Sequence, residues 1–121
     1  MIKDITSRKI AFVGSSRDDI RVFPDAVKLD IGYALFEAQR GRTPAHTKSM
    51  KGFGGPDVFE IVRRYDGGAY RAVYTTEFGR MIYVLHCFQK KSPSGIKTPK
   101  RDVNLIQRRL RTLEEEYHEH Q

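Results

Sequence analysis

The stretch VFEIVRRYDGGAYRAVYTTEFGRMIYVLHCFQ, residues 58–89, decides the fold because it contains three strand-like runs joined by two short turns. The runs are rich in Val, Ile, Tyr and Phe, which favour strands. Asp-Gly-Gly and Glu-Phe-Gly separate the runs and are typical of tight turns. The stretch therefore predicts two successive antiparallel hairpins, with strands over residues 58–65, 70–76 and 80–89.

Helices are predicted on either side of these hairpins. Upstream, KIAFVG (9–14) predicts a short strand, a brief helix follows, and Pro24 opens a second helix that ends near Gly41. The apolar stripe of that second helix falls at helical spacing, on Val27, Ile31, Leu35 and Ala38. Residues 42–56 are rich in Gly, Pro and small polar side chains and predict a long basic loop.

A last helix is predicted after a second basic loop, residues 91–98. Thr98 can cap this helix, with Pro99 at its first position. Its apolar face consists of Ile106, Leu110, Leu113 and Tyr117. The resulting order β-α-α-β-β-β-α predicts one α+β domain over residues 1–121, with helices packed on one face of a mainly antiparallel sheet.

Charge and cysteine content narrow the classes of function. The 121 residues carry 22 Lys+Arg against 15 Asp+Glu, a net charge of +7, which attracts polyanions such as nucleic acid or an acidic protein. No apolar run is long enough for a transmembrane helix or a signal-peptide core, so we expect no membrane partner. A single cysteine, Cys87, excludes an intrachain disulfide, and we expect a cytoplasmic protein.

Metal, cofactor and nucleophile motifs are not predicted. His86 and Cys87 are neighbours on a strand and must point to opposite faces, so they form neither a metal site nor a Cys–His pair. The GFGG run (52–55) lacks the spacing of a phosphate-binding loop and predicts a flexible loop. Its neighbours Lys48 and Lys51 either reach phosphates or serve only solubility.

Arg71 is the most informative charged residue because it lies in the middle of a predicted strand. Alternation sets it on the face opposite Tyr70 and Tyr74, and Glu60 and Arg64 share one parity of the preceding strand. The next strand ends in Lys90 and Lys91, which we expect, like Arg71, to face solvent. The pattern predicts cations gathered around a carboxylate; the alternative is an Arg–Glu pair that merely covers a half-exposed sheet.

A cationic cluster of this kind suits metal-free cleavage of RNA. Fixed guanidinium and ammonium groups bind phosphates and stabilise charge that develops during phosphoryl transfer. Glu60 or His86 could accept the proton of a ribose 2′-OH. Because this nucleophile lies within the substrate, such a reaction needs no metal and no cofactor.

The chain also resembles the HigB-like branch of the RelE/ParE toxin superfamily, which is often described as phage-derived. The resemblance is carried by YRAVY (70–74), VLHCFQKKS (84–92) and the helix that begins with Thr-Pro, and it extends to residues 15–41 and the KGFGG loop. It implies a RelE-like single domain and the toxin of a type II toxin–antitoxin system, an mRNA endoribonuclease that acts on the translating ribosome. Its partner would be a cognate helix-turn-helix antitoxin.

The resemblance also assigns residues. Arg71 matches the strand arginine of the family, Lys91 falls at a basic catalytic position, and Lys90 matches its neighbour. Two family lysines are replaced by Glu60 and Val62, so proton transfer cannot be copied from RelE. We expect the message to be held by Lys48, Lys51, Arg64, Lys97, Lys100 and Arg101. The alternative is a non-catalytic protein of phage origin that binds nucleic acid or an antitoxin.

Overall fold

The computed structural model describes residues 7–90 and 98–119 and shows an α+β domain with a five-stranded sheet and three helices. The catalytic candidate Lys91 and the RNA-binding candidate Lys97 lie outside the described residues. In chain order the elements are β1 Lys9–Phe12, α1 Ser16–Arg21, α2 Asp25–Gln39, β2 Thr47–Met50, β3 Val58–Tyr65, β4 Gly68–Thr75, β5 Met81–Lys90 and α3 Lys100–Glu119.

The sheet is mixed, with the strand order β1-β5-β4-β3-β2. Strands β2 to β5 are antiparallel, whereas β1 runs parallel to β5. The predicted hairpin between β3 and β4 is confirmed. Asp66 and Gly67 connect the strands with φ angles of 50° and 81°, and positive φ at both central residues is the geometry that twists with the flanking strands.

The structure corrects the prediction that residues 42–56 form only a loop. Thr47–Met50 is a strand, β2, which pairs antiparallel with β3 so that Lys48 lies opposite Glu60. Only Met50 of these four residues carries a large apolar side chain, so the sequence offers almost no alternating pattern. Pairing with the edge of β3 stabilises this strand instead.

The structure also corrects the prediction that the helices pack on one face of the sheet. Helix α2 packs on one face, against a cluster that includes Ile61, Ala72, Tyr74 and Cys87. Helix α3 packs on the other, where Ile106, Leu110 and Leu113 meet Val58, Val73, Leu85 and Phe88. Because both faces are covered, Glu60, Arg71 and His86, which lie on the α3 side of the sheet, are buried.

A register shift in β5 changes the alternation on which the predictions rest. Val73 lies opposite His86, but Tyr74 lies opposite Val84, so Leu85 is an extra residue in the strand. Leu85 packs in the α3 cluster, whereas Val84 packs in the α2 cluster. Leu85 and His86 are therefore consecutive residues on the α3 side of the sheet.

The chain passes from β1 to α1 at Gly14, where α3 makes a close approach. Gly14 has φ 57°, and a Cβ atom there would lie 2.7 Å from the guanidinium of Arg109. Arg109 donates hydrogen bonds to the carbonyl oxygen of Leu85 and to Oγ of Ser15, at 2.7 and 3.1 Å. The missing side chain thus lets Arg109 tie α3 to β5 and to the start of α1.

Within the described ranges, no helix is both long and apolar enough to cross a membrane.

Candidate functional site

The centre of the candidate site is the carboxylate of Glu60, on β3. It is fully buried, and both of its oxygens have partners. Nη1 of Arg71 donates to Oε1 at 3.0 Å, and the hydroxyl of Thr98 donates to Oε2 at 3.0 Å. Nζ of Lys48, whose side chain is half exposed, lies 3.7 Å from Oε1. The carboxylate is therefore compensated by two cations and a hydroxyl, as a buried charge requires.

Arg71 shares the sheet face of Glu60, as the alternation predicts, but its predicted exposure to solvent is wrong. Only 3% of the surface of Arg71 is exposed to solvent. In the register of the sheet Arg71 lies between Val62 of β3 and Phe88 of β5. The ion pair and these flanking strands remove it from solvent, while its side chain still reaches the wall of a cleft.

Further cations lie on the same sheet face, towards the β3–β4 turn. Arg64, Ala69 and Lys90 are aligned across β3, β4 and β5, two residue pairs beyond the row that contains Arg71. Lys48 is aligned with Glu60 from β2. Arg64 and Lys48 are exposed and Lys90 is half-buried. The register thus brings together Lys48, Arg64, Arg71 and Lys90.

The other sequence-predicted RNA contacts are distributed around this group. Lys51 is exposed directly after β2, and Lys100 and Arg101 are exposed in the first turn of α3. That helix begins where Thr98 is bound to Glu60. The hydroxyl of Thr98 therefore contributes to the buried pair.

A cleft of about 950 Å³ opens between α2, the segment that precedes β2 and the end of β3. Its sheet side carries Lys48, Arg63, Arg64 and Arg71. Its α2 side carries Asp30, Tyr33 and Glu37. The carboxylate of Asp30 forms an ion pair with Arg63, and the carboxylate of Glu37 forms one with Arg42. The cleft thus has cations on its sheet side, and two carboxylates and a tyrosine ring on its α2 side.

His46 lies in this cleft and was not among the sequence-predicted site residues. It is exposed and has φ 59°, an unusual angle for a residue other than glycine. The carbonyl oxygen of His46 accepts a hydrogen bond from the amide of Val62, at 3.0 Å, which fixes the backbone directly before β2. A backbone held in a rarely populated conformation is a recognised feature of functional sites.

His86, predicted as a proton acceptor, lies on the α3 side of the sheet under that helix. It is 6% exposed, and its Nε2 lies 2.7 Å from Oδ1 of Asp102, in the first turn of α3. Its ring stacks on Phe88 with centroids 4.7 Å apart. Among the described residues, Nδ1 of His86 has no hydrogen-bond partner. The Asp102 contact anchors the start of α3 on β5.

Cys87 lies on the opposite face from His86, which confirms the prediction that these neighbouring side chains point to opposite faces. Cys87 packs in the α2 cluster and is 1% exposed. Burial, with a smaller contribution from the negative charge of Asp19, raises the pKa of the Cys87 thiol to about 12. The thiol therefore stays protonated at neutral pH and is a poor nucleophile. The described residues contain no group of three or more His, Cys, Asp and Glu that could hold a metal ion.

The sequence did not predict three residues of the site: His46, Thr98 and Asp102. Thr98 was predicted only as a helix cap, and a cap pattern does not indicate a contact with a buried carboxylate. An aspartate in the first turn of a helix interacts favourably with the helix dipole, so the position of Asp102 needs no further explanation in the sequence. His46 lies in a segment without periodicity, and only the pairing of β2 places it beside the sheet cations.

A comparison with protein families identifies the chain more directly than this geometry. A family model described as "Phage derived protein Gp49-like (DUF891)" matches residues 18–111. The chain belongs to this Gp49-like family. No curated protein and no solved structure matches it. The family is associated with RelE/HigB-like toxins, and the matched range of the Gp49-like chain includes His46, Glu60, Arg71 and His86.

Proposed function

We propose that this Gp49-like protein is the toxin of a type II toxin–antitoxin system, a ribosome-dependent endoribonuclease that cuts mRNA by metal-free attack of the ribose 2′-OH. The observation that carries the proposal is Arg71. Its guanidinium is fixed by the buried carboxylate of Glu60 and lines a cleft whose sheet side is cationic. A guanidinium held in place before substrate binds needs little reorganisation when charge develops on a phosphate.

The cations around Arg71 suit binding of the substrate backbone. Lys48 and Arg64 are exposed on the cleft wall and Lys90 lies at the end of the same face. Such contacts supply affinity for RNA without reading its sequence. Lys91, Lys97, Lys51, Lys100 and Arg101 are proposed as further contacts to the message or to ribosomal RNA.

Within this proposal His46 is the better candidate for proton transfer. Glu60 is fully buried and both its oxygens are bound, so its role is to orient Arg71. His86 is buried between Phe88 and Asp102 and acts in docking α3. His46, in contrast, is exposed in the cleft that contains Arg71. An imidazole there can accept the 2′-OH proton and return a proton to the leaving 5′-oxygen.

A second function, binding without cleavage, is favoured by one observation. The charge of Arg71 is already neutralised by Glu60, whose Oε1 lies 3.0 Å from Nη1 of Arg71. A chain of this kind would bind RNA or an acidic antitoxin through Lys48, Arg64 and Lys90 and cut nothing. The two functions share the cytoplasm as their place of action and a helix-turn-helix antitoxin as a partner, but differ in the fate of the RNA.

The test is to incubate the purified protein with a defined message held on translating ribosomes and, separately, with EDTA-treated free RNA. We expect cleavage products with a 2′,3′-cyclic phosphate or 3′-phosphate, and no cutting where the ribose is 2′-deoxy. His46→Ala should lower the single-turnover rate about 100-fold or more at unchanged RNA binding. His118→Ala, a change at an exposed histidine of α3, is the matched control.

The outcome separates the alternatives. Efficient cutting of the deoxy message contradicts 2′-OH attack, and cutting of free RNA only after Mg²⁺ is added contradicts the metal-free site. A wild-type protein that binds the message and cuts it under no condition is the binding protein of the second candidate. If His46→Ala cuts at the wild-type rate, another group transfers the proton.

A further inference from the structure

The outer face of α2 is apolar although no described element packs against it. Leu29, Tyr33 and Phe36 are 73%, 65% and 49% exposed and follow one another at spacings of four and three residues. The opposite face of the same helix is the core stripe, buried against the sheet. A surface helix normally pairs one apolar stripe with a polar face. This helix has a second apolar stripe, which we call the outer face of α2 (Leu29, Gly32, Tyr33 and Phe36).

Gly32 lies within this outer face, three residues after Leu29 and four before Phe36. A Cβ atom at Gly32 would meet nothing within 4 Å, so packing inside the molecule does not require glycine there. Glycine in a helix interior costs about 1 kcal/mol of stability relative to alanine. Its lack of a side chain suits a position at which another backbone or a bulky side chain approaches closely. The outer face thus has a gap between two large apolar side chains.

The outer face is self-complementary about the midpoint between Gly32 and Tyr33. At equal distances from this midpoint lie three pairs of residues: Gly32 and Tyr33, Leu29 and Phe36, and Asp25 and Arg40. Asp25 is the first residue of α2 with a carboxylate that is 98% exposed, and Arg40, the C-cap, holds its guanidinium 5.8 Å from the centroid of the Phe36 ring. All six are exposed, and none belongs to the stripe that packs on the sheet.

We infer that a second copy of this chain covers the outer face of α2, with the two α2 helices antiparallel about a two-fold axis. In a two-fold interface, residue i of one copy contacts residue j of the other and the reverse. Tyr33 of each copy then fills the gap at Gly32 of the other, and Leu29 packs on Phe36. Asp25 lies opposite Arg40 at both ends.

The charges favour a second copy in this orientation over other arrangements. A parallel pair would place Asp25 against Asp25 and Arg40 against Arg40, which is repulsive. Asp25 already lies 3.4 Å from Lys28 in its own helix, but an exposed pair of this type contributes little and leaves the carboxylate accessible. One helix pair is at the small end of specific interfaces, so the dimer should be weak and dissociate in the micromolar range. The inference does not depend on RNA cleavage.

Sedimentation equilibrium of the full chain, from low to high micromolar concentration, tests the inference. Asp25→Arg and Arg40→Asp should each weaken the dimer about tenfold or more, because like charges then lie opposite each other. The double variant D25R/R40D should restore association, since the exchange regenerates the opposite charges. Asp18→Arg, at an exposed site on α1, is the matched control and should leave the dimer unchanged.

A second variant separates dimerisation from folding. Gly32→Gln should abolish the dimer by filling the gap that Tyr33 occupies, yet raise the free energy of unfolding of the monomer because Gln favours the helix. Three results would overturn the inference: a wild-type chain that is monomeric at every concentration, a charge exchange that restores nothing, or a Gly32→Gln variant that still dimerises. A monomeric chain whose outer face is covered only by a different protein would assign the face to that protein instead.

Discussion

The guanidinium of Arg71 and the carboxylate of Glu60 form a buried ion pair across β3 and β4, with Nη1 3.0 Å from Oε1. The two residues are diagonal neighbours, because Glu60 lies opposite Val73 and Arg71 opposite Val62. This diagonal geometry brings the guanidinium onto the carboxylate while the flanking strands and the residue Thr98 exclude water. The pair therefore neutralises the buried carboxylate and holds Arg71 at the wall of the cleft.

Stability should depend on the pair as a unit. Arg71→Met leaves the Glu60 carboxylate buried without its main partner, and we expect it to cost about 3–5 kcal/mol of unfolding free energy. The double variant Glu60→Leu with Arg71→Met should recover most of this loss, because replacing both charges by apolar groups removes their desolvation penalty. Urea denaturation of the four proteins measures the coupling. A single variant within 0.6 kcal/mol, about one RT, of wild type would show that water or other groups compensate Glu60.

RNA binding should be salt-dependent in proportion to the cations on the Arg71 face. Removing one phosphate contact in single-stranded RNA should lower the slope of log K against log salt by about 0.7. We expect this change for Lys48→Ala, Arg64→Ala and Lys90→Ala in fluorescence anisotropy titrations with a short RNA. Arg21→Ala, an exposed cation of α1 paired with Asp18, should leave the slope unchanged. Equal effects of all four variants would mean that binding follows net charge alone.

The protein should lose stability at alkaline pH through Cys87 and Tyr74. Burial raises the pKa of both groups to about 12, from 9.0 for the thiol and 10.0 for the phenol. The unfolded chain releases these protons first, so the stability contribution of the protonated groups is complete below about pH 9 and is lost as the pH rises towards 12. Cys87→Ala and Tyr74→Phe should each flatten the decline in a urea series from neutral to alkaline pH. A decline unchanged in the double variant would assign it to other groups.

Two glycines should respond oppositely to the same substitution. Gly14→Ala forces a side chain into a left-handed conformation and against the guanidinium of Arg109, so we expect a loss of about 1–3 kcal/mol. Gly32→Ala adds a methyl group to open space in a helix and should raise the unfolding free energy by about 0.5–1 kcal/mol. Thermal denaturation at low protein concentration compares them. A stabilising Gly14→Ala would mean that Arg109 moves away without loss of its hydrogen bonds to Leu85 and Ser15.

The sequence by itself determined the features that depend on neighbouring residues. The β3–β4–β5 meander follows from β-branched and aromatic runs and from a turn, Asp66-Gly67, whose residues tolerate positive φ. The opposite faces of His86 and Cys87 follow from the period of two along a strand. The common face of Arg71 and Glu60 follows from that period together with the register that the two-residue turn sets between β3 and β4. The core stripe of α2 follows from helical spacing. Each of these is fixed by residues a few positions apart.

Only the tertiary structure determined which helices and strands cover or pair with these faces. Alternation assigned Arg71 and Glu60 to one face, but only the docking of α3, anchored by Asp102 on His86 and by Thr98 on Glu60, made that face an interior. Strand β2 exists because β3 offers unpaired backbone groups, and its pairing is what brings Lys48 and His46 to Arg71. These contacts join residues that are distant in the chain. A periodic sequence pattern predicts a face of a strand or helix, but it does not indicate which distant segment will pack on that face.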